Sequence, residues 1–171
     1  VDKNIFVLTG AGISRESGIK TFREKDGLWD NYRIEDVCTT EAFQKNPDFV
    51  NNFYNERKKL YKNKNIQPNE GHLALAELEQ LSKKKFLLVT QNIDDLHKKA
   101  GSKSLLNMHG TLENLFCMHC GFMIPYDFDI NTSYTCTNCK KSGEVRVDVV
   151  WFGEQPKYLK EIYNFLPPIL T

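Results

Sequence analysis

The sequence predicts an α/β fold with a largely parallel sheet and one small inserted metal-binding module. The first observation is a pair of short apolar runs, residues 4–9 and 86–90, each with the length and composition of a buried parallel strand. The second is a set of helical patterns between these runs, which is typical of α/β proteins. The third is a stretch from Cys117 to about Gly143 that is rich in Cys, Thr, Asn, Ser and Gly and too poor in apolar residues to form its own core.

Capping residues indicate where the helices between the two strands begin. Asn46 and Pro47 predict a helix over residues 47–62, because asparagine is a preferred N-cap and proline suits the first helical position. Asn69 is the predicted cap of a second helix over residues 70–84. The apolar residues of this second helix lie mostly on one stripe, which predicts that it covers a sheet face; they are Leu73, Leu75, Ala76, Leu78 and Leu81.

The chain returns to an apolar run over residues 145–152 after the cysteine-rich stretch. Residues 145–149 predict a buried strand, and residues 157–165 have a short helical pattern that ends before a pair of prolines. Three isolated residues are interpreted as parts of the packed interior. His72 and His97 lie on helical patterns and are expected to be hydrogen-bonded packing residues, and Cys38 is expected to be an ordinary buried thiol.

Composition and charge exclude several classes of protein. Lysine and arginine number 23 against 22 aspartate and glutamate, so the net charge of +1 provides no field that would draw the chain onto nucleic acid or an anionic membrane. No stretch approaches the roughly 18 apolar residues of a membrane span. We therefore expect a soluble cytoplasmic protein without direct nucleic-acid or membrane partners, and the sequence favours a monomer only slightly. The first residue is Val1, so this expectation does not extend to a removed targeting segment.

Four cysteines have the spacing of a structural zinc site. They form two Cys-x-x-Cys pairs, Cys117 with Cys120 and Cys136 with Cys139, separated by fifteen residues. Four thiolates fill the tetrahedral shell of Zn²⁺ and leave no position for water or substrate, so the predicted role is structural. His119 lies inside the first pair and is not needed as a ligand. A zinc module of this kind could also be a nucleic-acid or protein-binding element without catalysis, which is the alternative from a different class.

A glycine-rich segment follows the first strand, from Gly10 to Gly18. Glycines at the carboxyl end of a strand allow backbone N–H groups to approach a pyrophosphate. The third glycine of the usual dinucleotide motif would fall at Arg15, however, so the spacing alone fits a plain strand-to-helix turn equally well.

Further motifs along the chain favour a dinucleotide-binding role for this glycine-rich segment. The glycine segment continues into Thr21, Phe22 and Arg23, the second strand ends in Gln91-Asn92-Ile93-Asp94, His109-Gly110 follows, and Val149 to Glu154 comes after the cysteine pairs. In this order the motifs closely resemble the sirtuin family over nearly the whole chain. The resemblance implies a Rossmann-like parallel sheet with helices on both faces, an inserted zinc module, and an NAD-dependent protein lysine deacylase.

The resemblance also implies roles for individual residues. The residues expected to contact NAD are Gly10, Ala11, Gly12, Ile13, Ser14, Thr21, Phe22, Arg23, Trp29, Gln91, Asn92, Ile93, Asp94 and His109. His109 is the expected catalytic base, which would deprotonate a ribose hydroxyl, since an imidazole suits this task at neutral pH. The expected products are free lysine, nicotinamide and O-acyl-ADP-ribose. Transfer of ADP-ribose to a protein acceptor, which would use the same NAD pocket, is the alternative activity.

Two groups of residues are expected to bind the acylated lysine and its peptide. Tyr54 and Arg57 resemble the Tyr-x-x-Arg pair of the desuccinylating branch, in which a guanidinium and a phenol bind the carboxylate of a succinyl or malonyl group. Glu24 is a possible competitor for Arg57 in this sequence. The loop of Val150, Trp151, Phe152, Gly153 and Glu154 is expected to pair with the substrate backbone as an added strand.

Domain boundaries follow from the same comparison of motifs. Residues 1–116 and 145–171 are expected to form the NAD-binding domain, and residues 117–144 the zinc module. No segment matches the later strands that hold the adenosine half of NAD in sirtuins. The C-terminal part of the sheet is therefore expected to be missing from this chain.

Overall fold

The computed structural model describes residues 3–20, 32–63 and 66–166. A three-stranded sheet has the order β1 (Ile5–Thr9), β2 (Phe86–Thr90) and β3 (Leu105–Asn107), and both neighbouring pairs are parallel. The two predicted strands therefore lie side by side with Thr9 opposite Thr90. Because parallel strands end at the same edge of a sheet, the loops after β1 and β2 are brought together.

A second sheet is antiparallel and connects the parallel sheet to the cysteine-rich stretch. Its order is β5 (Met123–Pro125), β4 (Gly110–Cys117) and β6 (Val145–Val149). The predicted strand over residues 145–149 is confirmed, and β4 is its partner rather than a strand of the parallel sheet. All five residues of β6 are buried, which is why its sequence lacks the alternation of a half-exposed strand.

The helices fill the long connection between β1 and β2. They are α1 (Ile34–Val37), α2 (Thr40–Lys45), α3 (Pro47–Asn63) and α4 (Glu70–Leu81), followed by α5 (Leu96–Lys99) after β2 and α6 (Leu159–Phe165) near the end. Both predicted asparagine caps are present: Asn46 accepts from the N–H of Phe49 at 3.2 Å, and Asn69 accepts from the N–H of Gly71 at 2.9 Å. No described helix is long and apolar enough to cross a bilayer.

Two of the predicted helix boundaries were wrong. Helix α4 ends at Leu81 rather than at residue 84, because Ser82 has an extended backbone and its hydroxyl donates to the carbonyl of Lys84. Lysines at residues 83 and 84 suit a helix end electrostatically, which is why the sequence pattern extends the helix to residue 84. Helix α6 begins at Leu159 rather than at residue 157, since Lys157 instead donates its N–H to the carbonyl of Met108.

One apolar core joins α2, α3, the antiparallel sheet and the cysteine-rich stretch. Val50, Phe53, Leu115, Ile130 and Val145 all belong to it, and each is at most 2% exposed. The cysteine-rich stretch thus packs against α3 and has no independent core, as its composition indicates. Cys38 lies in the same core and is a buried thiol, as predicted.

Candidate functional site

Two loops meet at the carboxyl ends of β1 and β2. One is the glycine loop, residues 10–18, which begins with a short 3-10 turn (Ala11–Ser14), and the other is the 91–94 loop. The amide nitrogen of Asn92 donates to the carbonyl of Gly10 at 3.1 Å and to the hydroxyl of Ser14 at 3.0 Å. The hydroxyl of Ser14 in turn donates to Asp94 at 2.9 Å. The sequence motifs at residues 10–14 and 91–94 therefore form one connected polar cluster.

This cluster contains an acceptor that the protein leaves unused. The Oδ1 atom of Asn92 is buried and has no hydrogen-bond partner within the described ranges. A buried carbonyl oxygen without a donor is costly, so a ligand or ordered water that supplied a donor would stabilise it. An N–H or hydroxyl donor, which the carboxamide or a ribose of NAD could supply, would satisfy it. The residues present therefore fit the nicotinamide half of NAD.

Asp94 offers a second acceptor beside it. Burial raises the pKa of the Asp94 carboxyl, while hydrogen bonds from the Leu96 N–H and the Ser14 hydroxyl oppose this effect. Ile93 is buried below this cluster.

His109 is oriented by a single contact with the 91–94 loop. Its Nδ1 lies 3.0 Å from the carbonyl oxygen of Gln91. A carbonyl can only accept, so Nδ1 carries the proton in the neutral ring and Nε2 keeps a free lone pair. The turn that follows needs glycine: Gly110 has a φ of 80°, and a Cβ there would lie 1.9 Å from the carbonyl oxygen of Asp148.

A cavity of about 440 Å³ lies beside His109. Its walls come from the 91–94 loop, the turn at residue 109, helix α1 and the residue after it, helix α3, and the end of β6 with the segment that follows. They include Ile34, Cys38, Tyr54, Gln91, Ile93, His109, Val149, Val150, Trp151, Phe152, Gly153, Glu154 and Pro156. The structure thus places the predicted base, one predicted acyl-binding residue and the whole 150–154 loop around one space. Such a largely preformed cleft with a few polar groups is typical of ligand sites.

A chain of buried polar contacts fixes the 150–154 loop. The guanidinium of Arg146 donates to the carbonyl of Val149 at 3.0 Å, pairs with the Glu154 carboxylate, and stacks 3.6 Å from the centre of the Trp151 ring. Glu154 also accepts from the backbone N–H of Trp151 at 2.8 Å. The indole N–H of Trp151 donates to the hydroxyl of Tyr54 at 3.0 Å. The cavity wall is therefore rigid on this side.

The hydroxyl of Tyr54 donates a hydrogen bond whose acceptor could be replaced by a ligand. Its hydroxyl donates to the sulfur of Cys38 at 3.5 Å, which is a weak acceptor. Burial raises the pKa of Tyr54 well above its ordinary value, so the phenol stays protonated. Burial also raises the pKa of the Cys38 thiol. A stronger acceptor entering the cavity could replace Cys38 as the partner of Tyr54.

Arg57 lies one turn further along α3 than Tyr54 but is not part of the cavity wall. Its guanidinium lies 4.1 Å from the ring centre of Phe53 and 4.9 Å from that of Tyr32, and 3.4 Å from the Glu56 carboxylate. Glu56 also accepts from the hydroxyl of Tyr32 at 3.2 Å. Of the two residues expected to bind the acyl group, the structure therefore places Tyr54 in the wall of this cavity and Arg57 outside it. Four predicted NAD contacts, Thr21, Phe22, Arg23 and Trp29, lie outside the described residues, as does Glu24.

The four predicted zinc ligands come together at one end of the second sheet, where β4 ends at Cys117. Their sulfur atoms all lie within 4.8 Å of one another, with Cys117 and Cys139 3.6 Å apart and Cys120 and Cys136 3.7 Å apart. A tetrahedral ion with Zn–S bonds of about 2.3 Å needs sulfur atoms about 3.8 Å apart, so the set fits one structural zinc.

The two cysteine knuckles have the same backbone geometry. In each, the first cysteine donates its N–H to the residue five positions on, and its carbonyl accepts from the residue four positions on. Gly121 and Lys140 occupy this latter position with φ values of 70° and 62°. The repeated turn directs all four thiolates toward one point.

Sequence reasoning missed two features of the site. Arg146 was not singled out, although a charge inside the fully buried run Val145-Arg146-Val147-Asp148-Val149 is a signal that the charge is paired. Asn69 was identified only as a helix cap, whereas its amide nitrogen also reaches the glycine loop. The buried histidines behave as expected: His97 lies 3.0 Å from the hydroxyl of Thr9, and His72 accepts from the N–H of Asn69 at 3.3 Å.

Comparisons with known proteins agree with this arrangement. The sequence model described as the Sir2 family matches residues 10–167. A protein of Bdellovibrio bacteriovorus named NAD-dependent protein deacylase is 53% identical over 164 residues, which are 96% of this chain and 70% of that protein. A protein of the same name from Vibrio vulnificus is 49% identical, and the alignment covers 96% of this chain and 67% of that protein. A third, from Salmonella typhimurium, is 48% identical, and the alignment covers 95% of this chain and 59% of that protein.

Solved structures show the same similarity. A mutant Sir2 homologue in complex with ADP-ribose superimposes with a TM-score of 0.80 at 40% identity, covering 95% of this chain and 63% of that one. A Sir2 homologue in complex with NAD gives a TM-score of 0.78 at 41% identity, covering 95% and 61%. This chain therefore spans about three fifths of the length of these solved chains.

Proposed function

The chain belongs to the Sir2 family, and on that premise we propose that it contains the catalytic base, the nicotinamide side of the NAD site and the acyl-lysine cavity of an NAD-dependent protein lysine deacylase. The observation that carries this proposal is His109, which lines the cavity and whose Nδ1 is bound to the Gln91 carbonyl, so that Nε2 carries the lone pair of the neutral ring. Its substrates would be acylated lysine side chains of proteins.

Residues of the two loops would hold NAD. Asn92 and Asp94 would bind its nicotinamide half through the free Oδ1 and the buried carboxylate, and the glycine loop would lie against the phosphates. When bound, NAD supplies the ribose to which the acyl group is transferred and the nicotinamide that leaves. His109 would accept a proton from a ribose hydroxyl at Nε2, and its contact with Gln91 would stabilise the imidazolium that forms.

The 150–154 loop would bind the peptide mainly through its carbonyl groups. Four of its five N–H groups already donate within the protein: Val150 to His109, Trp151 to Glu154, Phe152 to Cys38 and Glu154 to Trp151. The N–H of Gly153 and the backbone carbonyls are thus the groups that could pair with an added strand. Main-chain pairing of this kind gives affinity without demanding one substrate sequence.

Preference for acidic acyl groups is the more specific part of the proposal. A succinyl carboxylate at the end of the cavity would be a stronger acceptor for Tyr54 than the Cys38 sulfur. Arg57 would have to exchange Glu56 for the substrate. The ion pair with Glu56 is between neighbouring positions and Glu56 is largely exposed, so the loss of this pair by itself is expected to cost little.

Domain organisation and cellular context complete the proposal. Residues 1–116 and 145–171 would belong to the NAD-binding domain, with residues 117–144 as the zinc module. We also propose a cytoplasmic monomer, and the near balance of charge supports the absence of direct nucleic-acid or membrane partners.

Identification of the reaction products tests the proposed activity. The purified protein is incubated with NAD and with matched acetyl-lysine and succinyl-lysine peptides, and the products are identified by mass spectrometry. Deacylated peptide, nicotinamide and O-acyl-ADP-ribose are expected. ADP-ribosylated protein without deacylated peptide would instead support ADP-ribosyl transfer. The absence of both products would contradict catalysis by this chain.

A further inference from the structure

Asn69 connects helix α4 to the glycine loop through its side-chain amide. Its Nδ2 donates to the carbonyl of Ile13 at 2.7 Å and to the hydroxyl of Ser17 at 2.9 Å. Its Oδ1 accepts from the N–H of Gly71 and caps the helix. One amide group therefore holds two points of the glycine loop and the first turn of a twelve-residue helix at the same time.

The neighbours of Asn69 fix its position. His72 is fully buried, and its Nδ1 accepts from the backbone N–H of Asn69 at 3.3 Å. Burial lowers the pKa of His72, which keeps the ring neutral and Nδ1 available as an acceptor. Gly71 allows the loop to approach, because a Cβ there would lie 3.1 Å from Oδ1 of Asn69 and 3.4 Å from the side chain of Ile13.

The two residues that Asn69 contacts lie close in the chain to Ser14, which belongs to the polar cluster. Ile13 and Ser17 flank Ser14, and the N–H of Ser17 donates to the carbonyl of Ser14 at 3.2 Å. The Ser14 hydroxyl lies between Asn92 and Asp94. Any shift of the glycine loop away from α4 would therefore move Ser14 relative to both residues.

We propose that Asn69 is a positioning residue for NAD binding: through Ile13 and Ser17 it holds the glycine loop where Ser14, Asn92 and Asp94 together face the nicotinamide half of the dinucleotide. The inference rests on the proposed function, because it assigns NAD to this loop. It goes beyond that proposal in making the affinity for NAD depend on a helix cap that contacts the glycine loop at Ile13 and Ser17 and makes no hydrogen bond to Ser14, Asn92 or Asp94 among the described residues.

The substitution Asn69→Asp, which replaces an amide by a carboxylate, distinguishes the capping of α4 from the contact with the glycine loop. Aspartate is as good an N-cap as asparagine, and its charge is favourable at a helix N-terminus, so Asn69→Asp should preserve the capping of α4. A carboxylate has no N–H to donate, and it would repel the carbonyl of Ile13. The variant should therefore keep the cap and lose the bond to the Ile13 carbonyl, while the Ser17 hydroxyl can reverse its role and donate to the new carboxylate.

Asn46 provides a matched control at the start of α3. It is also an asparagine N-cap, accepting from the N–H of Phe49 at 3.2 Å, and within the described residues its side chain makes this capping contact alone. Asn46→Asp is thus the same chemical change at a cap that does not reach the glycine loop.

The dissociation constant of NAD, measured by calorimetry on the whole protein, tests the inference. Asn69→Asp is expected to weaken NAD binding at least tenfold, with the KM for acyl peptide at saturating NAD unchanged, whereas Asn46→Asp should bind NAD within twofold of the unchanged protein. A general structural defect would raise both constants together. Ser17→Ala, which removes one of the two contacts, should give an intermediate loss and serves if Asn69→Asp does not fold.

Two outcomes would overturn the inference. If Asn69→Asp and Ser17→Ala both bind NAD as tightly as the unchanged protein, Asn69 is a helix cap only and the proposed function stands. If the unchanged protein itself does not bind NAD, the proposed function fails and takes this inference with it.

Discussion

Asn55 accepts a hydrogen bond from the hydroxyl of Tyr126 at 2.5 Å, and this contact joins helix α3 to the segment between the two cysteine knuckles. The same side chain accepts from the N–H of Ile130 and donates to its carbonyl, both at 3.0 Å. Asn55 lies directly after Tyr54 on α3. The helix that contributes Tyr54 to the cavity is therefore also the helix that anchors the zinc module.

Asn55→Ala should destabilise the protein by about 2–4 kcal/mol, because the substitution leaves three buried polar groups without partners. Chemical denaturation with zinc bound measures the loss. Asn51→Ala is the control, since Asn51 is buried one turn earlier and its Nδ2 already lacks a partner among the described residues. Equal losses in the two variants would show that the hydrogen bonds of Asn55 contribute nothing specific.

His109→Ala should lower kcat/KM on an acyl peptide by roughly 10² to 10⁴, the usual contribution of a positioned general base. Binding of NAD, measured by calorimetry, should stay close to that of the unchanged protein. The exposed His119, which lies inside the first cysteine knuckle, offers a comparison: His119→Ala should keep nearly full turnover. Wild-type turnover in the His109 variant would remove the residue from the catalytic step.

Arg57→Met should lower the kcat/KM for a succinyl peptide about tenfold to a hundredfold, since a charged hydrogen bond contributes about 1.5–3 kcal/mol. The kcat/KM for the matched acetyl peptide should change far less, because a neutral acetyl group has no carboxylate for Arg57. Glu56→Gln is the complementary variant: it removes the carboxylate now paired with Arg57 and should raise desuccinylation a few-fold. An equal loss on both peptides in Arg57→Met would mean that Arg57 supports the fold instead.

Lys140→Val should weaken the zinc module by about 1–2 kcal/mol, because a β-branched residue is strained at a φ of 62°. Lys140→Asn should be tolerated, since asparagine adopts this left-handed conformation more readily than other non-glycine residues. Competition with a chelator gives the zinc affinity of each variant. Identical affinities would indicate that the knuckle can form without this turn.

Acid should destabilise the fold through His97. Burial lowers the pKa of His97 to about 4, against an ordinary value of 6.5, so between these pH values the unfolded chain binds more protons than the folded one. The stabilisation is therefore complete above about pH 6.5 and is lost progressively as the pH falls from 6.5 to 4. On this basis His97 alone contributes a loss of about 2 kcal/mol between pH 8 and pH 5.

The His97→Leu variant isolates this contribution, because leucine does not titrate. Urea denaturation at pH 8, 6 and 5 should show a shallower dependence of unfolding free energy on pH in the variant. His72, whose ring packs edge-on at 4.7 Å and whose pKa is also lowered by burial, should account for part of the remaining slope. An unchanged slope would show that His97 is not buried in its neutral form.

The zinc site shows how far sequence alone can reach. The spacing of Cys117, Cys120, Cys136 and Cys139 predicts one tetrahedral metal centre, and the sulfur positions confirm that prediction. Each knuckle is a local turn whose geometry depends on neighbours within five residues. Local patterns of this kind also determine the strand ends, the asparagine caps and the motifs that reveal the family.

Arg57 and Asn69 show what only the tertiary structure decided. Helix spacing places Tyr54 and Arg57 near one another, but the rings of Phe53 and Tyr32 and the carboxylate of Glu56 determine where the guanidinium lies. Likewise, the sequence identifies Asn69 as a cap, while its contact with Ile13 joins residues 56 positions apart. Such contacts depend on how whole elements pack, because the same side chain can satisfy its hydrogen bonds in many local ways and only the fold selects among them.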